Sequence, residues 1–220
     1  MKIGVLFSGG KDSTMAAWLA KKSGHEIKCL ITLHSENPDS YMFHTPSIRK
    51  TEKKVEEIIP SMKITKGEKE KELKDLEEAI KSAVKKHKIQ GVVTGAVESV
   101  YQASRIQKIC KKLELECFNP LWKKNQIELL HDLLKEKFRV VVTGVSAYPL
   151  NGSWLGREID KKFISEIHVL QEKYKISPAG EGGEFETFVL ECPMFKKPLK
   201  VIGANFTGEE HSWKLELELK

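Results

Sequence analysis

The chain has 220 residues and a mass of 25.0 kDa, with 40% hydrophobic and 31% charged residues, enough apolar material for one α/β domain and a smaller addition. No stretch approaches the roughly 18 uninterrupted apolar residues that a membrane helix needs, and a strand pattern starts at Lys2 with no signal-peptide pattern before it, so a cytoplasmic protein is expected. The charge of +6, from 37 basic and 31 acidic residues, suits a polyanionic partner such as nucleotide phosphate or RNA, although a solvated Lys/Glu surface gives the same surplus.

In chain order, Lys2 to Phe7 reads as a short buried strand, followed by a glycine turn and a helix from about Ser13 to Lys22. Ile27 to Leu33 is a second strand, and a polar loop with His34, Ser35, Glu36, Tyr41 and His44 follows it. A helix is expected over 46–59, then a short strand from Met62 to Thr65. Leu73, Leu76, Ile80 and Val84 recur every three or four residues, which predicts an amphipathic helix over 68–87. Gly91 to Thr94 is a strand; Ile106, Ile109, Cys110 and Leu113 line one face of the next helix, and Leu115 to Phe118 is a fifth strand. Strands alternating with helices predict an α/β fold, a doubly wound parallel five-stranded sheet over residues 1–123. Beyond that point come a helix (125–136), a strand (Arg139 to Thr143), a helix (160–174) and strand-like pieces at Thr187 to Leu190, Leu199 to Ile202 and Trp213 to Leu219. Residues 124–220 are therefore expected to form a smaller mixed α+β domain.

The four cysteines, Cys29, Cys110, Cys117 and Cys192, contain no CxxC pair, and their spacing suits neither a zinc site nor a disulfide framework. Cys29 and Cys110 sit in apolar patterns and read as small core residues.

The segment Ser8-Gly9-Gly10-Lys11-Asp12-Ser13 lies between the first strand and the first helix, where open parallel sheets bind ligands. Glycines let the backbone approach a ligand closely, and amides at a helix start face a phosphate with help from the helix dipole. Lys11 adds a positive charge and Ser13 a hydroxyl, while Asp12 suits either a magnesium ion or a helix cap. A Walker loop counted from Gly4 is excluded: Gly10 occupies the lysine position, Lys11 comes one place late, and Asp12 follows where Ser or Thr is required. The string resembles the signature of the pyrophosphate-loop ATPases, the N-type ATP pyrophosphatases. That resemblance implies that ATP is cleaved to AMP and pyrophosphate, with the β,γ-diphosphate cradled by the loop.

Further segments occur in order: Ser35-Glu36-Asn37, Ser40 to Thr45, Gly67 to Glu70, Gly95-Ala96, Tyr101-Gln102 with Arg105, Trp154 to Arg157, and Gly180 to Thr187. Together they look like the diphthine–ammonia ligase family over nearly the whole chain. The resemblance implies that residues 1–123 bind ATP and residues 124–220 bind substrate. It also implies a protein substrate, translation elongation factor 2 carrying diphthine, with ammonia as second substrate and ATP and Mg2+ as cofactors. Many members carry cysteine just before Gly180; here Ala179 stands there, so a thiol at that place is not required.

On the residues themselves, Ser8, Gly9, Gly10, Lys11, Asp12 and Ser13 are expected to hold ATP, with Asp12 on the metal and Lys11 and Asp12 catalytic. Gly95 and Ala96 end a strand and are small enough to admit adenine or ribose, and Arg105 lies one turn beyond Gln102, pointing to a phosphate contact or a surface ion pair. Glu181, Gly182, Gly183, Glu184 and Glu186 form an acidic, glycine-rich turn assigned, with Trp154, to substrate binding, and Glu184 and Glu186 are also expected to be catalytic. If the segment is extended, Glu184 and Glu186 share one face and are expected to receive the trimethylammonium group or orient ammonia, with Trp154, Tyr148 or Phe185 offering a ring. His34 and His44 are candidates for acid–base work, with His44 assigned to substrate. The rival readings are a pyrophosphate-loop tRNA-modifying enzyme and a non-catalytic ATP-binding sensor. No basic face with interleaved aromatics is evident for RNA, and a homo-oligomer is left open.

Overall fold

A computed structural model describes residues 1–33, 61–64 and 72–220. The helix expected over 46–59 and the loop with His34 and His44 lie outside the described residues. The chain is α/β and divides into two compact units: Met1–Ser8 with Asp12–Trp122, and Gly9–Lys11 with Lys123–Lys220.

In the first unit the elements run β1 (Lys2–Leu6), α1 (Lys11–Lys22), β2 (Glu26–Leu33), β3 (Ser61–Ile64), α2 (Glu72–His87), β4 (Gly91–Val93), α3 (Val100–Lys112) and β5 (Glu116–Phe118). The sheet order is β3-β2-β1-β4-β5, and every pairing is parallel. From β1 the chain steps outward to β2 and β3, then returns to β4 on the other side of β1. That reversal puts the ligand-binding crevice of such sheets at the carboxyl ends of β1 and β4.

The helical period decides which residues cover the sheet. Leu76, Ala79, Ile80 and Ala83 of α2 are wholly buried and form one cluster with Ile106, Ile109 and Cys110 of α3 and Cys29, Ile31 and Val92 of the sheet. Leu76 and Ile80 contribute roughly 1.5–3 kcal/mol each by leaving water. Leu73 shares the spacing but is 38% exposed, because the stripe runs along the small Ala79 and Ala83 instead. Gly4 of β1 faces this layer; a Cβ there would lie 3.1 Å from the Cδ1 atoms of Ile31 and Ile89.

Polar residues just before the helices set where they start. The Ser99 hydroxyl accepts from the Gln102 amide at 3.3 Å at the head of α3. In the second unit, Asn125 accepts from Ile127 and Glu128 ahead of α4 (Gln126–Lys135), and Asp160 accepts from Phe163 at 2.7 Å ahead of α5 (Lys161–Tyr174).

The second unit carries β6 (Arg139–Val145), β7 (Phe185–Glu191), β8 (Val201–Glu209) and β9 (Ser212–Leu219) in the antiparallel order β7-β6-β9-β8. Its interior takes Leu129, Leu130 and Leu133 from α4, Phe163, Ile164 and Ile167 from α5, and Val140 and Val142 from β6. The strand piece expected at Leu199 to Ile202 is the start of a nine-residue strand, β8. Gly203, Asn205 and Gly208 give that segment a turn-like composition, and the long antiparallel partner β9 overrides it.

Candidate active site

The loop from Ser8 to Ser13 follows β1 without a break. The Phe7 amide donates to the Ile31 carbonyl at 2.9 Å, so the sheet holds the chain up to the residue before Ser8. Gly9 has φ +79°, a left-handed conformation that glycine adopts without a steric penalty. Helix α1 begins at Lys11, two residues earlier than expected, which puts Lys11 and Asp12 inside its first turn. Asp12 therefore does not occupy a cap position; its charge lies at the positive end of the helix dipole.

A clasp closes the hexapeptide. The Ser13 hydroxyl accepts from the Ser8 amide at 3.1 Å and shares a second hydrogen bond with the Ser8 hydroxyl at 3.0 Å. In the second unit, the Gly9 carbonyl accepts from the Val189 amide at 3.1 Å, and the Lys11 amide donates to the Thr187 hydroxyl at 3.1 Å. Lys11 is only 3% exposed, and its Nζ lies 5.8 Å from the centre of the Phe185 ring. Thr187 and Val189 had no role assigned from sequence; Thr187 closes the acidic motif, but only the fold shows that it meets the loop.

Gly95 stands just past β4. A Cβ there would lie 2.7 Å from the Asp12 carbonyl carbon and from the Ser13 nitrogen, so the Asp12–Ser13 peptide packs directly on this glycine. Ala96 is 6% exposed, and its amide donates to the Thr94 hydroxyl at 3.4 Å. Helix-to-strand packing thus accounts for Gly95 without a nucleotide. The Arg105 guanidinium lies 3.2 Å from the centre of the Tyr101 ring and donates to the Tyr101 carbonyl at 3.2 Å, so it folds back on its own helix.

The acidic turn has its own internal logic. Oε1 of Glu184 accepts from the Ser177 amide at 2.7 Å, and Oε2 accepts from the Gly182 amide at 2.9 Å. A Cβ on Gly182 would lie 2.8 Å from Oε1 of Glu184, and one on Gly180 would lie 2.7 Å from the Phe185 carbonyl oxygen. Gly180 and Gly183 both have positive φ, +74° and +85°. These glycines let the backbone wrap the Glu184 carboxylate. The expectation that Glu184 and Glu186 share one strand face is corrected: β7 starts at Phe185, and Glu184 ends the turn. Glu186 lies on β7 opposite Gly144, and Glu181 lies in the turn.

Trp154 requires a second correction. It is 9% exposed, the Arg157 guanidinium sits 4.2 Å from its ring centre, and Phe163 meets it edge-on at 5.3 Å. Arg157 is held there by an ion pair with Glu166 at 2.6 Å. The ring is thus largely buried, and Arg157 already occupies the cation position over it. Phe185 is buried as well, whereas Tyr148 is 60% exposed and meets Tyr174 and His211 edge-on. Hydrogen bonds from Lys173 and then from Tyr148 hold the Tyr174 phenol below its ordinary range, and the same contact raises Tyr148. A cavity of about 500 Å³, lined by Gln126, His168, Gln171, Glu172 and Lys175, adjoins the turn through Ser177 and Pro178. His44 lies outside the described residues.

The thiols also differ from expectation. Cys29 and Cys110 are core residues, but Cys110 on α3 and Cys117 on β5 share a thiol–thiol hydrogen bond that their spacing did not reveal. That bond, with burial, pushes Cys110 up; the same bond draws Cys117 down.

A parallel α/β sheet with a glycine loop at the crossover of β1 and β4 is the geometry at which open sheets of this class take up phosphate groups. Residues 1–117 match the family described as diphthamide synthase N-terminal domain, and residues 125–218 match the diphthamide synthase C-terminal domain. The chain belongs to the diphthamide synthase family. It is 33% identical over 224 residues to the diphthine–ammonia ligase of Homo sapiens and 32% identical over 227 residues to that of Bos taurus; each alignment spans 91% of this chain and 83% of the relative. A solved structure from Methanocaldococcus jannaschii, described as a predicted subunit of tRNA methyltransferase, shares 21% identity over 90% of this chain and 99% of its own, at a TM-score of 0.42.

Proposed function

We propose that the chain amidates diphthine on translation elongation factor 2 to diphthamide, using ATP and ammonia. The observation that carries the reading is the clasped loop, with Gly9 in the left-handed region and α1 starting at Lys11, at the switch point of the sheet. Family membership and the relatives' shared name supply the substrate.

The chemistry balances in two steps. A carboxylate oxygen of diphthine attacks the α-phosphorus of ATP, the bond to the bridging oxygen breaks, and pyrophosphate leaves. Ammonia then attacks the acyl carbon of the adenylate, AMP departs with the acyl–oxygen electron pair, and the new amide nitrogen loses a proton. Neither step needs a protein nucleophile, so positioning and charge neutralisation carry the catalysis.

In this reading residues 1–123 bind ATP and residues 124–220 bind substrate. Ser8, Gly9, Gly10 and Ser13 shape the cradle for the departing diphosphate, and Lys11 supplies positive charge. Asp12 would offer Mg2+ one hard oxygen ligand, and the ion would supply charge neutralisation at the phosphates. Gly95 and Ala96 border the nucleotide, and Arg105 reaches phosphate only by leaving Tyr101. Glu181 and Glu186 are the acidic residues assigned to the trimethylammonium or to ammonia. Gly182 and Gly183 shape the turn, and Glu184 acts as a positioning residue. Among the described residues no helix is long and apolar enough to cross a membrane.

The test is direct: incubate the protein with ATP, Mg2+ and ammonium, with and without elongation factor carrying diphthine, and quantify AMP, pyrophosphate and the amidated residue. Stoichiometric AMP and diphthamide are expected; ADP as the product, or AMP without amidation, overturns the reading.

A further inference from the structure

Among the described residues β8 is the outer strand of the second sheet, hydrogen-bonded on one side only, to β9. Every residue of it except Gly203 is exposed. It carries three large apolar side chains in water: Val201 at 42%, Ile202 at 63% and Phe206 at 52%. Phe206 pairs across from Leu215, and Ala204 from Leu217, and both leucines are buried. Phe206 therefore extends the core-facing side of the sheet past its cover.

Natural edges are blunted by lysine, proline, shortness or inward charge. From Val201 to Gly208 this edge has no charged residue and no proline, and the strand is nine residues long. Its register shift, between Val201 and Gly203, lies at its start and leaves Ala204 to Glu209 regular. Such a strand is a template for another strand, and its own sequence fits it best. Antiparallel pairing of β8 with a second β8 about Asn205 sets Phe206 opposite the partner's Ala204, and the symmetric contact repeats it. Large therefore meets small twice. The two Phe206 rings become diagonal neighbours on one face, within reach of aromatic side chains. The ends match as well: Lys200, at the basic start of one strand, faces Glu209 and Glu210, at the acidic end of the other. A two-fold contact of this kind closes on itself and leaves neither β8 edge open.

We propose that two copies of this chain associate through β8, antiparallel about Asn205, to form one eight-stranded sheet. The surface chemistry excludes a parallel match, which would set Lys200 against Lys200 and Phe206 against Phe206.

Light scattering after size exclusion, on the intact chain from low micromolar concentration upward, reads the mass. A species of twice 25.0 kDa is expected. The double variant Ile202→Lys with Phe206→Lys is expected to weaken association by roughly tenfold or more while keeping the wild-type circular dichroism. Independently, Asn205→Cys places two thiols about 4.5–5.5 Å apart by Cα across the two-fold, inside disulfide range, so mild oxidation should give a covalent dimer that peptide mapping locates at 205–205. A chain that stays at 25.0 kDa at every concentration overturns the proposal, as does a dimer cross-linked elsewhere. The readout is mass, so its failure is separate from any failure of the ligase reading.

Discussion

Replacing Gly95 by alanine probes the loop without touching any side chain that could bind ATP. The added Cβ would stand 2.7 Å from the Asp12 carbonyl carbon and the Ser13 nitrogen, 0.7 Å short of the 3.4 Å at which ordinary contact begins. The atoms it meets are backbone and cannot rotate away, so the first turn of α1 and the end of β4 must separate by most of that distance. Overpacking of this kind costs about 1–3 kcal/mol, which lowers the melting temperature by roughly 2–4 °C per kcal/mol for a chain of this size. A displacement approaching 1 Å in a group that positions phosphate costs up to about a hundredfold in rate, so a loss of about ten- to a hundredfold in pyrophosphate release is expected. Gly24→Ala is the control: Gly24 has φ +83°, and a Cβ added there meets nothing within 4 Å, so the change strains the backbone far from any packing partner. It should lose stability but not rate. If Gly95 were small only to leave room for the nucleotide, the alanine variant would weaken ATP binding with an unchanged melting temperature. Wild-type melting and wild-type turnover together would refute the packing argument outright.

Glu184→Ala removes the acceptor of two backbone amides and should cost about 2 kcal/mol or more in denaturant unfolding, with Glu184→Gln intermediate; full stability with lost amidation would mean that the carboxylate serves substrate instead. Thr187→Val removes the acceptor of the Lys11 amide and should raise the KM for ATP severalfold, with Thr187→Ser close to wild type; equal behaviour of the two variants would remove Thr187 from the site. Burial pushes the Cys29 thiol up to about 11, so at pH 8 the folded protein should leave it unmodified by a thiol reagent, and Cys117 should react first; mass mapping of early adducts decides. Lys112 and then Lys81 hold the Glu77 carboxyl below its ordinary value, so the stability this ion-pair cluster adds is present above that value and lost as pH falls through the lowered one. Glu77→Gln should flatten the acid limb of a stability–pH curve, and an unchanged curve would count against the cluster.

Local patterns were legible where the physics is local. The strand, glycine turn and helix that frame Ser8 to Ser13 follow from an apolar run and two glycines, and the helix ending at His87 follows from Leu76, Ile80 and Val84 at helical spacing. Cys29 and Cys110 read as core because their neighbours are apolar. Two misses are local, the start of α1 at Lys11 and the place of Glu184 before β7, and the others are contacts between residues that local pattern does not bring together. Nothing in a string of letters says that Arg157 lies on Trp154, that Thr187 takes the amide of Lys11, or that Cys110 meets Cys117. The composition of β8 reads as a turn, and only its pairing with β9 makes it a strand.

The two glycine-rich segments solve one problem in different ways, which bears on where catalysis resides. Each bends the backbone through left-handed glycine, Gly9 in one and Gly180 and Gly183 in the other. In the turn from Ser177 to Glu184 the anion those amides gather is a side chain of the same turn. In the loop from Ser8 to Ser13 the two serines close on each other, and the only carboxylate, Asp12, lies inside the helix rather than at its cap. A turn that supplies its own anion is a mould, and its worth is rigidity. The strand that leaves it at Phe185 carries Thr187 and Val189 straight to the amide of Lys11 and the carbonyl of Gly9. Within the second unit β7 thus ties the acidic motif to the backbone of Gly9 to Lys11, and a defect in Glu184 should appear first as a displaced Lys11 backbone, before any loss of substrate charge recognition.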